Sequence, residues 1–409
     1  MSFENARSRS MQPSPSMKIA MAARAMMAQG RDVIDLSLGE PDFEPPPHVS
    51  AAAIEAIRAG GIRYGASAGS DALRAAIAEK FRRDNGLHYA PDQIIVANGA
   101  KQLLFDAFMV SLEAGDEVLI PSPCWVSYGD IVSLHGGRPI FLPCSGEQGF
   151  KLSADRLEAA ITSDTRWIML NSPSNPTGAI YSRDELRALG DVLVRHPRIL
   201  ILSDEIYEHV LLGNAPFVSF GTACPDLLDR TLIVNGVSKA YAMTGWRLGY
   251  AAGPAPLINA INKCQSQSVT SVCPVVQAAA MAALTGDQDF VAAGSARFAE
   301  RAKLVAERLA QIPLIGYTPP QGAFYAFIDV RGLIGTRGPG GVLLQDDVAV
   351  AAHLLEEFGL SSVPGSAFAA PGHIRLSIAA SDADISAACD RLAAMVQHCA
   401  DQQFDAAAT

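Results

Sequence analysis

Six short, mostly apolar runs in the middle of the chain alternate with stretches of helical periodicity. They are Ile94-Ile95-Val96-Ala97, Glu117 to Ile120, Arg166 to Leu170, Ile199 to Leu202, Leu232 to Val234 and Leu248 to Ala252. A strand with one wet face alternates apolar and polar residues; one that is apolar throughout must be covered on both faces. Runs of this kind, joined by helices such as Lys101 to Leu112, predict a mainly parallel sheet with helices on both sides, an α/β fold. The second run is expected to end at Pro121.

From about Asp287 the texture changes. A long helical pattern, Phe290 to Ala310, precedes two separate strand candidates, Gly322 to Ile328 and Ile374 to Ile378, which reads as α+β. The expected division is a large domain over 51–286, with an N-terminal arm over 1–50 and the C-terminal part, 287–409, forming a smaller one. The glycine-rich stretch Gly332 to Gly341 is expected to be a mobile loop. We find no internal repeat.

Composition excludes several classes of function. The 409 residues are 49% hydrophobic and 18% charged, which permits a large core and rules out wholesale disorder. The net charge of −10 disfavours nucleic acid as a partner, although a few focused cations can still hold an anionic cofactor. Seven scattered cysteines show no C-x-x-C pair and no metal-like spacing with histidine, so reduced cytosolic thiols are expected and no metal. Met1 to Ser16 has no apolar signal-peptide core, and no run of apolar residues is long enough to span a membrane.

The chemistry concentrates around Lys239. It follows an apolar run and a turn in Asn235-Gly236-Val237-Ser238-Lys239-Ala240-Tyr241, and Arg247 comes eight residues later. An amine there can form a Schiff base with an aldehyde cofactor, and a planar guanidinium fork can hold an anionic group beside it. Asp204 follows another apolar run, where a half-buried charge needs a reason; it reads equally as a partner for a ring nitrogen or as a helix N-cap. Gly99 and Ala100, with Lys101, open a helix after a strand, a place where free amides favour phosphate, or where the chain simply turns. Trp125 can stack on a ring or fill the core. Arg375, inside a strand pattern, can fork onto a carboxylate or pair on a sheet edge.

The whole stretch Asn235 to Tyr250 closely resembles the cofactor-lysine signature of fold-type I aminotransferases that use pyridoxal phosphate. Other segments resemble that family in the same order: Gly39-Glu40-Pro41-Asp42-Phe43, Asn175-Pro176-Thr177-Gly178, and Ser203-Asp204-Glu205-Ile206-Tyr207. The resemblance runs from Ser37 to Ser377 and is best with the bacterial aspartate aminotransferase-like branch of the class I/II enzymes. It implies a large domain with a seven-stranded sheet and a smaller α+β domain.

The resemblance also implies roles. Lys239 would carry the cofactor, and Asp204 would hold its ring nitrogen. Tyr207 and Asn175 would contact the ring oxygen, and Trp125 would stack on the ring. Gly99, Ala100, Lys101, Ser238 and Arg247 would hold the phosphate, joined by Tyr64 from a neighbouring subunit, so that a homodimer shares its sites. Arg375 and Gly39 would receive the substrate carboxylate, with Trp125 and Asn175 beside it, and Lys101 could meet a distal carboxylate. Two departures stand out: Cys124 where relatives often carry tyrosine, and Lys18 where they often carry a small hydroxyl residue. The implied activity is a ping-pong, Schiff-base transfer of an amino group from an L-amino acid, acidic by preference, to a 2-oxo acid in the cytoplasm. A lyase or synthase on the same scaffold, or aromatic, branched or prephenate-like substrates, are the alternatives.

Overall fold

The computed structural model describes residues 3–4, 9, 11 and 15–407, with side chains described as far as Asp401. Among the described residues, thirteen strands run in chain order. They are β1 (Ile34–Asp35), β2 (Ile94–Ala97), β3 (Glu117–Ser122), β4 (Arg138–Pro143), β5 (Thr165–Asn171), β6 (Leu200–Asp204), β7 (Thr231–Gly236), β8 (Gly249–Ala252), β9 (Gly316–Tyr317), β10 (Tyr325–Asp329), β11 (Leu360–Ser361), β12 (Val363–Pro364) and β13 (His373–Ser377).

Seven of them form one sheet in the order β2-β8-β7-β6-β5-β3-β4. Only β8 runs against its neighbours; the other pairings are parallel. The expected apolar runs are its interior, and their alternation sorts side chains to two cores. Ile94 and Val96 pack on one side with Val49, Leu73 and Phe81. Ile95 and Ala97 pack on the other with Leu103 and Phe108. Both faces are covered by helices, as a strand without a polar face requires.

Two boundaries differ from the sequence reading. Strand β3 continues through Pro121 to Ser122 in register with β4. Its pairing with β5 ends at Leu119, so the missing amide of Pro121 lies beyond those residues. Strand β4 went unrecognised because it is an edge strand whose mostly half-exposed residues include two prolines.

A second, antiparallel sheet has the order β12-β13-β10-β9, and β1 pairs with β11 nearby. Its core joins Ile34 and Leu36 to Phe298, Tyr325, Leu354 and Leu392, so the N-terminal segment and the C-terminal third share one interior. Arg301, buried on the helix Asp289–Leu309, ties them by charge. Its Nη1 and Nη2 reach the two oxygens of Asp42 at 2.8 and 2.7 Å, and its Nε reaches Asp382 at 2.8 Å. The glycine-rich stretch expected to be a mobile loop is cross-bonded: Gly335 and Leu344 amides meet the carbonyls of Leu344 and Thr336, and Leu333 and Leu344 are fully buried beneath it.

Candidate active site

The carboxyl ends of β2, β3, β5, β6 and β7 open on one edge of the large sheet, the usual ligand side of an α/β fold. A cavity of about 340 Å³ lies there, closed from the other side by residues 37–40 and by Tyr325 and Arg375. Among the residues expected to act, Gly39, Ala100, Lys101, Trp125, Asn175, Asp204, Tyr207, Ser238, Lys239, Arg247 and Arg375 all line it.

Lys239 sits just past β7. Its Nζ donates to the carbonyl oxygen of Gly39 at 2.7 Å. Burial lowers its pKa to about 8; Glu40 opposes the shift, whereas Arg375 and Arg247 reinforce it. A lysine that can lose its proton near neutrality can serve as nucleophile and as base.

Asp204, the last residue of β6, is 5% exposed. Burial raises its carboxyl pKa, and the Tyr128 hydroxyl, which donates to Oδ2 at 2.7 Å, pulls it back down. The Ile206 amide reaches Oδ1 at 3.3 Å, so this aspartate caps a turn while facing the cavity; no helix follows it, and the helix N-cap reading does not hold.

Gly99 takes φ +82° and opens the helix Ala100–Ser111 with no side-chain cap, so the first-turn amides point to the cavity without a side-chain acceptor. A Cβ on Gly99 would lie 2.5 Å from the Arg247 guanidinium and would push that side chain aside, and the positive φ itself favours glycine. Arg247 itself takes φ +58° and bonds the carbonyl of Thr244 at 2.8 Å. Ser238 completes this corner.

Arg375, on β13 and 3% exposed, enters from the opposite wall. Its Nη1 donates to Asn175 Oδ1 at 3.1 Å and its Nη2 to the Ser37 carbonyl at 2.5 Å, while its buried Nε has no hydrogen-bond partner among the described residues. The guanidinium lies 4.4 Å from the ring centroid of Tyr325 and 4.9 Å from that of Phe368. Asn175 is fixed in turn, its amide donating to Asn171 Oδ1 at 2.8 Å. Lys101 lies over the Trp125 ring at 4.6 Å and bonds Ser127 at 3.2 Å, on the lip of the cavity.

These groups suit pyridoxal phosphate. A buried carboxylate facing the cavity, a helix start without a side-chain cap beside a guanidinium, and an amine of lowered pKa match its ring nitrogen, phosphate and aldehyde. The orphaned Nε of Arg375 matches a carboxylate brought by substrate.

Three further positions lie outside the cavity. Lys18 is exposed on the helix Pro15–Ala28 and lines no part of the cavity; Ser16, a small hydroxyl residue, and Met17 do. Cys124 is buried outside the cavity, against a separate void of about 20 Å³ behind Tyr128, so its effect is on the support of Tyr128. Tyr64 is 92% exposed and lies away from this chain's cavity. Sequence reasoning missed Tyr128, Tyr325 and Ser37. Tyr128 follows Trp125 by one helical turn, a spacing that could have exposed it; Tyr325 reads as core.

Among the described residues, Asp84, Glu208 and His209 gather ligand atoms within 4.8 Å. That cluster already holds a cation, the buried ammonium of Lys80, which pairs with Glu208 and bonds Asn85 at 2.9 Å. Glu208 also accepts from Asn235 at 2.7 Å, steadying the end of β7 that carries the lysine turn. No described helix is long and apolar enough to cross a membrane, and all seven cysteines are free thiols.

Comparison with known proteins agrees with this geometry. Residues 31–392 match the family model described as aminotransferase class I and II. The aspartate/prephenate aminotransferase of Cereibacter sphaeroides is 48% identical over 382 residues, covering 93% of this chain and 96% of that protein. The crystal structure of the aspartate aminotransferase from Rhizobium meliloti superposes with a TM-score of 0.94 at 46% identity, covering 97% of this chain and all (100%) of that one. The Thermus thermophilus aspartate aminotransferase with maleate gives 0.90 at 40% identity, covering 97% and 100%.

Proposed function

We propose, since the chain belongs to the aminotransferase class I and II family and is therefore a pyridoxal phosphate-dependent transaminase, that its amino donor is acidic, aspartate or glutamate, and that its acceptors are 2-oxo acids that also carry two carboxylates. One observation carries this reading: besides the phosphate-side Arg247 and the cofactor lysine Lys239, the cavity is lined by two further cations, Arg375 on its inner wall and Lys101 on its lip. A dicarboxylate can satisfy both, and a mono-carboxylate leaves one charge without a partner. The names of the relatives support it, since aspartate, prephenate and maleate are all acids.

Pyridoxal phosphate, when bound, supplies an aldehyde to carry the amino group and an electron-poor ring to take up charge from the α-carbon. The protein's part follows from its own groups. Arg375 turns its fork to the α-carboxylate, with Asn175 and the Ser37 carbonyl fixing its plane. Asp204, held by Tyr128, would pair with the ring nitrogen and keep it protonated. The Ala100 and Lys101 amides, Ser238 and Arg247 hold the phosphate. The Lys239 amine, whose lowered pKa suits both taking up and giving back a proton, would serve as the base at the substrate's α-carbon. Tyr207 and Asn175 would meet the ring oxygen, Trp125 would stack on the ring, and Gly39 would turn its backbone to the substrate carboxylate.

Tyr64 supports a homodimer, because an exposed tyrosine of this size is well placed to enter a partner's site. We further read the chain as a large domain over 51–286 and a smaller one built from 1–50 and 287–409, working in the cytoplasm with its thiols reduced.

Substitution of Lys101 by alanine tests the substrate reading. The KM for aspartate should rise about tenfold, the worth of one charge-assisted hydrogen bond, and activity on monocarboxylic donors should hold. Equal losses on both would contradict an acidic donor.

A further inference from the structure

Tyr325 looks like an ordinary core aromatic, with 1% of its surface exposed on the central strand of the small sheet. A phenylalanine would serve that purpose without the cost of burying a hydroxyl. The hydroxyl is instead placed with care. Its oxygen lies 2.7 Å from the Tyr207 hydroxyl oxygen, and the two rings meet edge to face. It is tucked against Gly39, where a Cβ would collide with it, and Gly39 is the residue whose carbonyl receives Lys239. The face of the ring lies 4.4 Å from the Arg375 guanidinium. Pairing of Tyr325 with Ser377 and of Phe327 with Arg375 fixes that offset across two hydrogen-bonded strands.

We propose that Tyr325 is a positioning residue of the transamination site, its hydroxyl orienting that of Tyr207 and its ring seating the guanidinium of Arg375. The proposal rests on Tyr207 facing the cofactor's ring oxygen and Arg375 facing the substrate carboxylate. Each phenol has a single proton. When Tyr207 donates its own toward the cavity, its oxygen is left to accept, and Tyr325 is the donor at 2.7 Å. A hydroxyl that accepts a hydrogen bond becomes a better donor, so Tyr325 strengthens the bond that Tyr207 makes. One side chain of the small sheet thus touches the carboxylate anchor, the ring-oxygen contact and the turn that holds Lys239.

Removal of the hydroxyl alone is the test. A hydrogen bond to the cofactor's ring oxygen disperses its negative charge and loosens its hold on the proton shared with the Lys239 nitrogen. The pH midpoint at which the bound cofactor changes colour should therefore rise when that bond weakens. In Tyr325→Phe it should rise by about half a unit, less than in Tyr207→Phe. KM for the amino donor should stay within about twofold, because the ring remains under Arg375, whereas Tyr325→Leu should raise it about fivefold. In a Tyr207→Phe background, Tyr325→Phe should move the midpoint no further.

An unchanged midpoint in Tyr325→Phe, alongside a shifted one in Tyr207→Phe, overturns the proposal and leaves the reading of Tyr207 standing. An unchanged midpoint in Tyr207→Phe overturns both. Additive shifts in the double variant overturn the claim that Tyr325 acts through Tyr207. Should Tyr325→Phe not fold, fluorotyrosine at position 325, a stronger donor of the same shape, must lower the midpoint.

Discussion

Lys239 and Gly39, two hundred positions apart in sequence, meet through a 2.7 Å hydrogen bond from the lysine amine to the glycine carbonyl. The contact makes the N-terminal segment part of the active site. The same segment offers the Ser37 carbonyl to Arg375 and the Leu36 carbonyl to the Ser377 amide. The amine and the carboxylate anchor are thus aligned by one short run of backbone.

Loss of the amine should end catalysis and leave the fold intact. Lys239→Ala removes one hydrogen bond to a carbonyl and a charge whose burial is unfavourable, and these offset each other. Turnover should vanish, while circular dichroism and the thermal midpoint stay close to those of the parent. Retained turnover would remove Lys239 from the mechanism.

Capture of the cofactor by the apoprotein should speed up with pH, because only the neutral amine attacks an aldehyde. With a pKa of about 8 for Lys239, the rate should climb through that value and level above it. Glu40 favours the charged form, so Glu40→Gln should move the profile to lower pH. The lysine's ordinary value is 10.5, so the folded apoprotein binds fewer protons than the unfolded chain between about 8 and 10.5 and should gain stability as pH rises through that window. Stopped-flow absorbance and urea titrations at several pH values measure both.

Tyr128 holds Asp204 from behind, and Tyr128→Phe leaves one carboxylate oxygen without its 2.7 Å donor. Loss of a bond of this kind is worth about 1 kcal/mol. We expect a drop in kcat of roughly fivefold and weaker retention of pyridoxal phosphate on dialysis, with the KM for the donor little changed. A change confined to KM would contradict this role.

Asp42→Asn breaks the fork that joins the N-terminal segment to Arg301 while leaving Asp382 in place. Arg301 is fully buried and Asp42 only partly so, which discounts the usual penalty for a broken buried pair. A stability loss of about 2 kcal/mol is expected, seen as an earlier urea midpoint.

Much of this was legible in the sequence. Apolar runs flanked by helices located six of the seven strands of the large sheet, because covering both faces leaves no polar residue to blur the pattern. Lys239 and Asp204 were legible for a related reason, as each polar residue follows an apolar strand at the edge where ligands bind, whereas Asn175 came only with the resemblance of its turn. Edge strand β4 was not, since two prolines and a half-exposed surface give it no period. Tyr325 and Ser37 were hidden because their meaning is tertiary. The tyrosine hydroxyl gains a partner only when the small sheet meets the turn after β6, and Ser37 acts through its backbone oxygen, which every residue has.

The most direct measurement is an absorbance titration of the pyridoxal phosphate-loaded protein with excess L-aspartate and no 2-oxo acid. The account predicts that the yellow band bleaches to the amino form of the cofactor, with about one equivalent of oxaloacetate formed per site, as a half-reaction of a ping-pong transfer requires. A band that persists with aspartate and glutamate, or keto acid formed beyond one equivalent with no acceptor present, would contradict an acidic-donor transaminase.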